Sequence, residues 1–200
     1  MSRPLVALLS ASLLLAACER ASAPPPSAPA TTPAASSVPP PASADLATLL
    51  GNASYIGIEA QPIQLTNGVW QGEPYDRDSA SRPSMRAMRE VPPVRGDLDG
   101  DRRDEAATFV ALDGGGSGTF VHLAVFSLKD GKATNIATAF VGDRSRVEKA
   151  TIEHGRIVVD TIESGPDDPA CCPTMKARRI WTLVDGKLKE ATPDAKPATP

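Results

Sequence analysis

The chain has 200 residues, a net charge of −3, 41% apolar residues and only 4% aromatic ones. That length can support a real hydrophobic core, but with so few aromatics the core must be built from Val, Ile, Leu and Ala. The mild acidity, with no lysine- or arginine-rich block, removes any electrostatic reason to seek nucleic acid.

The first 17 residues read as a leader. Arg3 supplies a short positive region, and Leu5 to Ala16 is an apolar run too short to span a bilayer but long enough for a signal sequence. The run ends in Leu15-Ala16-Ala17-Cys18, which resembles the lipobox of bacterial lipoproteins. The resemblance implies cleavage before Cys18, lipidation of its thiol and an anchor that holds the chain at a membrane without spanning it. Glu19 stands where an aspartate would favour retention in the inner membrane, which leans the expectation toward the outer membrane, facing the periplasm.

Residues 18–44 read as a lipidated cysteine followed by a disordered tether. Eight of the 26 residues from Glu19 to Ala44 are proline and eight are alanine. Such a segment cannot bury enough apolar surface to offset the entropy of ordering, and its two Pro-Pro-Pro runs favour extended polyproline spacing. A short helix is expected over Ser43–Leu50, with Leu46, Leu49 and Leu50 on one face and Gly51-Asn52 as its stop.

From Tyr55 onward the turn residues carry the signal. Asn67-Gly68, Asp130-Gly131, His154-Gly155 and Asp185-Gly186 each separate apolar or β-branched runs, as two-residue hairpin loops do. The predicted strands are Ile63–Leu65 with Val69–Gln71, Ala106–Leu112 with Thr119–Leu128, Ala133–Val141, Val147–Glu153 with Arg156–Ile162, and Ala177–Val184 with Leu188. Glu73 to Ser84 reads as a long surface loop. The expectation is one mainly β domain over 45–190, an antiparallel β-meander with one short N-terminal helix, followed by a disordered tail at 191–200.

The most suggestive loop is Gly96-Asp97-Leu98-Asp99-Gly100-Asp101-Arg102-Arg103-Asp104-Glu105. Calcium takes six to eight oxygens at about 2.3–2.6 Å, and alternating acids let one short loop supply most of them. The loop resembles the Asp-x-(Asp/Asn)-Gly-Asp-x-x-Asp-Asp/Glu loops of integrin-type and related β-repeat calcium sites. Carried over, Asp97, Asp99, Asp101 and Glu105 are side-chain ligands and Arg103 a backbone ligand. Position 102, often glycine in such loops, is arginine here, and Arg102 and Arg103 offset part of the acidity. The competing reading is an acidic turn neutralised by those two arginines.

No Ser-His-Asp or zinc-histidine set can be assembled from the two histidines, and the acids Asp143, Asp160, Asp167 and Asp168 are not positioned as a hydrolytic pair by their spacing. His154 fills a turn position that histidine tolerates, and His122 lies in an apolar strand as a partly buried residue. Gly114 to Thr119 lacks the Gly-Lys-Ser/Thr ending of a phosphate loop and reads as a hairpin connection. The other unusual feature is the adjacent pair Cys171-Cys172 between Pro169 and Pro173. It is either a structural vicinal pair or a redox or soft-metal site.

Taken together, Gly96–Asp101, Gly115–Phe120, Val141–Arg144 and Gly165–Thr174 resemble segments of a group of small, functionally uncharacterised bacterial envelope proteins. The resemblance implies a secreted or lipid-anchored β-rich domain and brings no catalytic residue. The expected function is a non-enzymatic, lipid-anchored binding or structural module of the cell envelope, with calcium in the 97–105 loop and an unidentified envelope partner. The alternative is a periplasmic redox or metal-handling protein using Cys171 and Cys172.

Overall fold

A computed structural model describes residues 43–191. The expected leader, Cys18, most of the tether and nearly all of the C-terminal tail lie outside the described residues.

The described residues are mainly β, with antiparallel pairing throughout and one short helix that precedes the strands, as the sequence predicts. Helix α1 (Ser43–Leu50) leads into β1 (Ser54–Tyr55) and β2 (Ile63–Gln64), which pair with each other. A six-stranded sheet follows, made of β3 (Val69–Gln71), β4 (Ser84–Ala87), β5 (Val94–Gly96), β6 (Glu105–Asp113), β7 (Thr119–Lys129) and β8 (Lys132–Asp143). Its order is β3-β4-β6-β7-β8, and β4 and β5 share the same edge of β6, one at each end. A second sheet runs β12-β11-β10-β9, from β9 (Arg146–Glu153), β10 (Arg156–Glu163), β11 (Met175–Val184) and β12 (Lys187–Ala191).

Strand β6 organises the packing. Its run Ala106 to Leu112 is buried on both faces, which suits a central strand with no solvent side. Ala107, Phe109 and Ala111 join Val121, Leu123 and Val125 of β7 in a core shared with Val147, Ile157, Val159 and Trp181 of the second sheet. The alternate residues Ala106, Val110 and Leu112 join Ala124 and Phe126 in a second core, capped by Leu46 and Leu50 of α1 and by Tyr55, Ile63 and Leu65. An eight-residue helix has too little intrinsic stability to stand alone. Burying Leu46 and Leu50, at about 1.5–3 kcal/mol each, is what holds it in place.

The four expected X-Gly turns all adopt left-handed backbone at both residues, the geometry that matches the twist of a hairpin. Asp130-Gly131, His154-Gly155 and Asp185-Gly186 join paired strands. Asn67-Gly68 behaves differently. Thr66 and Val69 form a single bridge across it, and then β2 pairs with β1 while β3 pairs with β4. The expected Ile63–Leu65 with Val69–Gln71 hairpin is thus reduced to its turn, because each flanking strand finds a longer-range partner.

The meander doubles back between β8 and β9, where Arg144 and Ser145 carry the chain from one sheet to the other. Two features fasten the sheets at their edges. Gly96 of β5 lies against Ile152 of β9 so closely that an added Cβ would sit 2.6 Å from the isoleucine side chain. Elsewhere, Arg179 of β11 donates to the Val141 carbonyl of β8 at 3.1 Å, pairs with Glu163 and Glu190, and stacks over Trp181 at 5.3 Å.

Candidate functional site

The acidic loop connects β5 to β6 and is built around carboxylates that cap backbone N–H groups. Asp97 accepts from the Gly100 N–H at 2.7 Å through one oxygen and from the Arg102 N–H at 3.0 Å through the other. Asp99 accepts from the Asp101 N–H at 3.0 Å. Gly100 supplies a positive φ of 84°, and Arg102 is also forced into the left-handed region at φ 69°. The position that is often glycine in calcium loops is therefore a glycine-favouring position here, occupied by arginine at a cost of about 1–2 kcal/mol.

Two residues root the loop in the protein. Leu98 is buried in the core between the sheets. Glu105, the first residue of β6, is only 4% exposed, and its carboxylate accepts the Leu98 N–H at 2.9 Å. Burial pushes the Glu105 carboxyl above the usual range; the Leu98 bond opposes this, and the nearby charges of Asp99, Asp101 and Asp97 add to it. A Cβ added at Gly155, in the β9–β10 turn, would sit 3.9 Å from the Asp97 and Leu98 carbonyl oxygens, so the neighbouring hairpin lies beside the same loop.

Of the five expected ligands, the structure brings three side chains together. Asp97, Asp99 and Glu105 each offer an oxygen, and these oxygens lie within 4.8 Å of one another. Two oxygens bound to one calcium ion are separated by at most about 5 Å, given bond lengths of about 2.3–2.6 Å. Asp101 turns the other way. It accepts the Arg103 N–H and Nε at 2.8 Å each, and the Arg103 hydrogen bonds hold its carboxyl below the usual range. The Arg103 guanidinium is thus engaged by Asp101, outside the trio of acids. The remaining acid, Asp104, meets Arg95 at 3.7 Å.

The second sequence candidate lies in the β10–β11 connection. Cys171 and Cys172 form a disulfide, with both residues exposed. Asp168 shapes the turn. It accepts from the Gly165 N–H, the Thr174 N–H and the Thr174 hydroxyl, each at 2.7 Å. These bonds, the Gly165 one foremost, hold its carboxyl below the usual range. Sequence reading assigned this aspartate no such part, although Asp in a proline-bounded turn is itself a turn signal.

The histidines sit as the sequence suggests. His122 is partly buried, with its ring 5.4 Å from that of Phe140 and its Nδ1 3.2 Å from the Phe120 carbonyl oxygen; burial lowers its pKa. His154 occupies its turn at φ 52°. The glycine-rich connection from Gly114 to Gly118 is tied down from outside. The Tyr75 hydroxyl donates to the Gly114 carbonyl at 2.6 Å, Ser81 to that of Gly115 at 2.8 Å, and Arg144 to that of Ser117 at 2.8 Å.

A cavity of about 440 Å³ opens beside α1, lined chiefly by Leu50, Tyr55, Met88, Val91 and Pro92, with Arg89 also on its wall. Its lining contains no carboxylate, histidine or cysteine, and neither the acid trio nor the cysteine turn reaches it. Tyr55 within it is held by a hydrogen bond to the Leu50 carbonyl, and burial raises its pKa.

The chain matches no protein-family model, and the comparison with curated proteins found no match. The functional reading therefore stands on the residues themselves.

Proposed function

We propose that the protein is a lipid-anchored, non-enzymatic module of the bacterial cell envelope, whose β domain is stabilised by calcium at Asp97, Asp99 and Glu105 and presents a binding or structural surface. Cys18 carries the lipid, the proline-rich tether spaces the domain from the membrane, and the outer membrane facing the periplasm is the favoured location. The observation that carries the calcium part is the convergence of three carboxylates, one of them buried, at the point where β6 enters both cores. Three acids this close repel one another and one is desolvated; a divalent hard cation relieves both penalties, and main-chain oxygens and water complete its shell.

In this reading the ion acts as a structural clamp. It fixes the β5–β6 turn against the β9–β10 hairpin and takes no part in bond-making. A binding role draws support from Phe120 and Phe140, whose rings lie 6.4 Å apart and are 37% and 54% exposed, since exposed aromatics are enriched at interfaces. The test of the calcium part is isothermal titration of the purified chain with calcium, magnesium and zinc. Saturable heat with calcium at millimolar concentration or below, lost in Glu105→Gln, supports the proposal. Absence of calcium heat, or heat unchanged by the substitution, removes it. Globomycin-sensitive processing and labelling with a fatty-acid analogue, both abolished by Cys18→Ala, test the anchor.

A further inference from the structure

We infer that Cys171–Cys172 is a dithiol/disulfide exchange centre for an external dithiol, and that Asp168 is its positioning residue. The inference is independent of the calcium reading and uses a different part of the molecule.

Three observations carry it. First, the disulfide is poorly placed to act as a staple. It joins neighbours in sequence with Cα atoms 3.8 Å apart, so it ties together no separate segments and removes little freedom from the unfolded chain. That separation is also shorter than the roughly 4.4–6.8 Å of unstrained disulfides, and strain makes the bond easier to reduce. Second, both cysteines are exposed, and no residue from Ser164 to Thr174 is buried. An attacking thiolate therefore has access without any opening of the core. Third, the turn is held by something else. Asp168 gathers Gly165 and Thr174, the two ends of the turn, through three hydrogen bonds, and the Cys172 N–H donates to the Pro169 carbonyl at 2.9 Å.

The strands at the base of this turn, β10 and β11, are paired over eight positions, from Arg156 with Thr182 to Glu163 with Met175. Opening the disulfide thus leaves both the turn and its platform in place. The exchange balances as a two-electron, two-proton transfer. A thiolate of the external dithiol attacks one cysteine sulfur, the Cys171–Cys172 bond breaks, and a mixed disulfide forms. The second thiol of the partner then resolves it, which leaves the partner oxidised and two thiols on this chain. A protein dithiol of the Cys-x-x-Cys type fits as the co-reactant, because its resolving thiol is already adjacent.

The experiment uses the full chain in oxidised form. A Cys-x-x-Cys oxidoreductase recycled by its NADPH-dependent reductase is added without denaturant, and NADPH consumption is followed together with peptide-resolved alkylation of residues 171 and 172. One NADPH per chain, two alkylated thiols on that peptide and a melting temperature changed by less than about 2 °C are expected, with no NADPH consumed by the Cys171→Ser/Cys172→Ser double variant. Asp168→Asn should alter the exchange rate at least about threefold at an unchanged melting temperature, since access and geometry set the rate. A pair that stays oxidised until the protein is denatured, or a reduction that unfolds the domain, would overturn the exchange centre. An exchange rate unmoved in Asp168→Asn would overturn the positioning role.

Discussion

The acidic loop and the cysteine turn are built by the same local device and joined to the protein in opposite ways. In each, one aspartate collects backbone N–H groups: Asp97 those of Gly100 and Arg102, Asp168 those of Gly165 and Thr174. The acidic loop also sends Leu98 and Glu105 into the interior, whereas no residue from Ser164 to Thr174 is buried. A loop rooted in the core transmits what happens in it, so a cation bound there would be felt as fold stability. A turn fastened only to itself can change its chemistry while the fold stays put. The difference lies in two side chains, which makes it open to attack by substitution.

The largest effect should come from cutting the root of the acidic loop. Leu98→Ala removes a buried side chain from the core between the sheets and is expected to cost about 2–5 kcal/mol, measurable by urea denaturation. Glu105→Ala comes next. It leaves the buried Leu98 N–H without its acceptor and should cost about 1–3 kcal/mol, while Glu105→Gln keeps an acceptor and should fold nearly as well as the parent. Should both alanine variants prove neutral, the loop is not rooted as described.

A smaller effect of opposite sign is expected at Arg102. Its φ of 69° suits glycine, so Arg102→Gly should raise stability by about 0.5–1 kcal/mol, the relief of left-handed strain less the entropy glycine adds to the unfolded chain. It also removes a positive charge near the acids and should tighten calcium binding in the titration.

The smallest effect belongs to the cysteine turn and is read by pH. The Asp168 carboxyl is depressed by the hydrogen bonds it accepts. A depressed acid contributes its stabilisation above its unfolded value of about 3.9 and loses it as pH falls through the lower folded value. Amide resonances of Gly165 and Thr174, followed by nuclear magnetic resonance, should therefore titrate below about pH 3.9. A midpoint at or above that value would mean that Asp168 does not hold the turn.

Much of this contrast can be read in sequence, and the unreadable part has physical causes. The Ala106 to Leu112 run announces a strand with no solvent face, and the X-Gly pairs announce their left-handed turns, because both signals are local. Strands β4 and β5 give no such notice. They are four and three residues long, sit among polar residues, and exist because Met85 and Arg86 find Leu112 and Ala111, and Val94 and Arg95 find Ala107 and Ala106. The folding of the meander into two sheets is equally non-local: Gly96 matters because Ile152 comes to lie against it. At the acidic loop, spacing nominates every acid alike. Which of them converge depends on a competition that spacing does not encode, and Asp101 leaves the group because the Arg103 guanidinium is the nearer partner.

The central claim is that calcium, seated between Asp97, Asp99 and Glu105, stabilises the whole domain. The direct measurement is the melting temperature of the parent chain, Glu105→Gln and the Cys171→Ser/Cys172→Ser double variant, with a chelator and with calcium in excess. Saturation at about 100 times the dissociation constant adds about 2.7 kcal/mol, which for a domain of this size is a rise of about 5–10 °C. That rise is predicted in the parent and in the cysteine variant and not in Glu105→Gln; no rise in the parent, or an equal rise in Glu105→Gln, would contradict it.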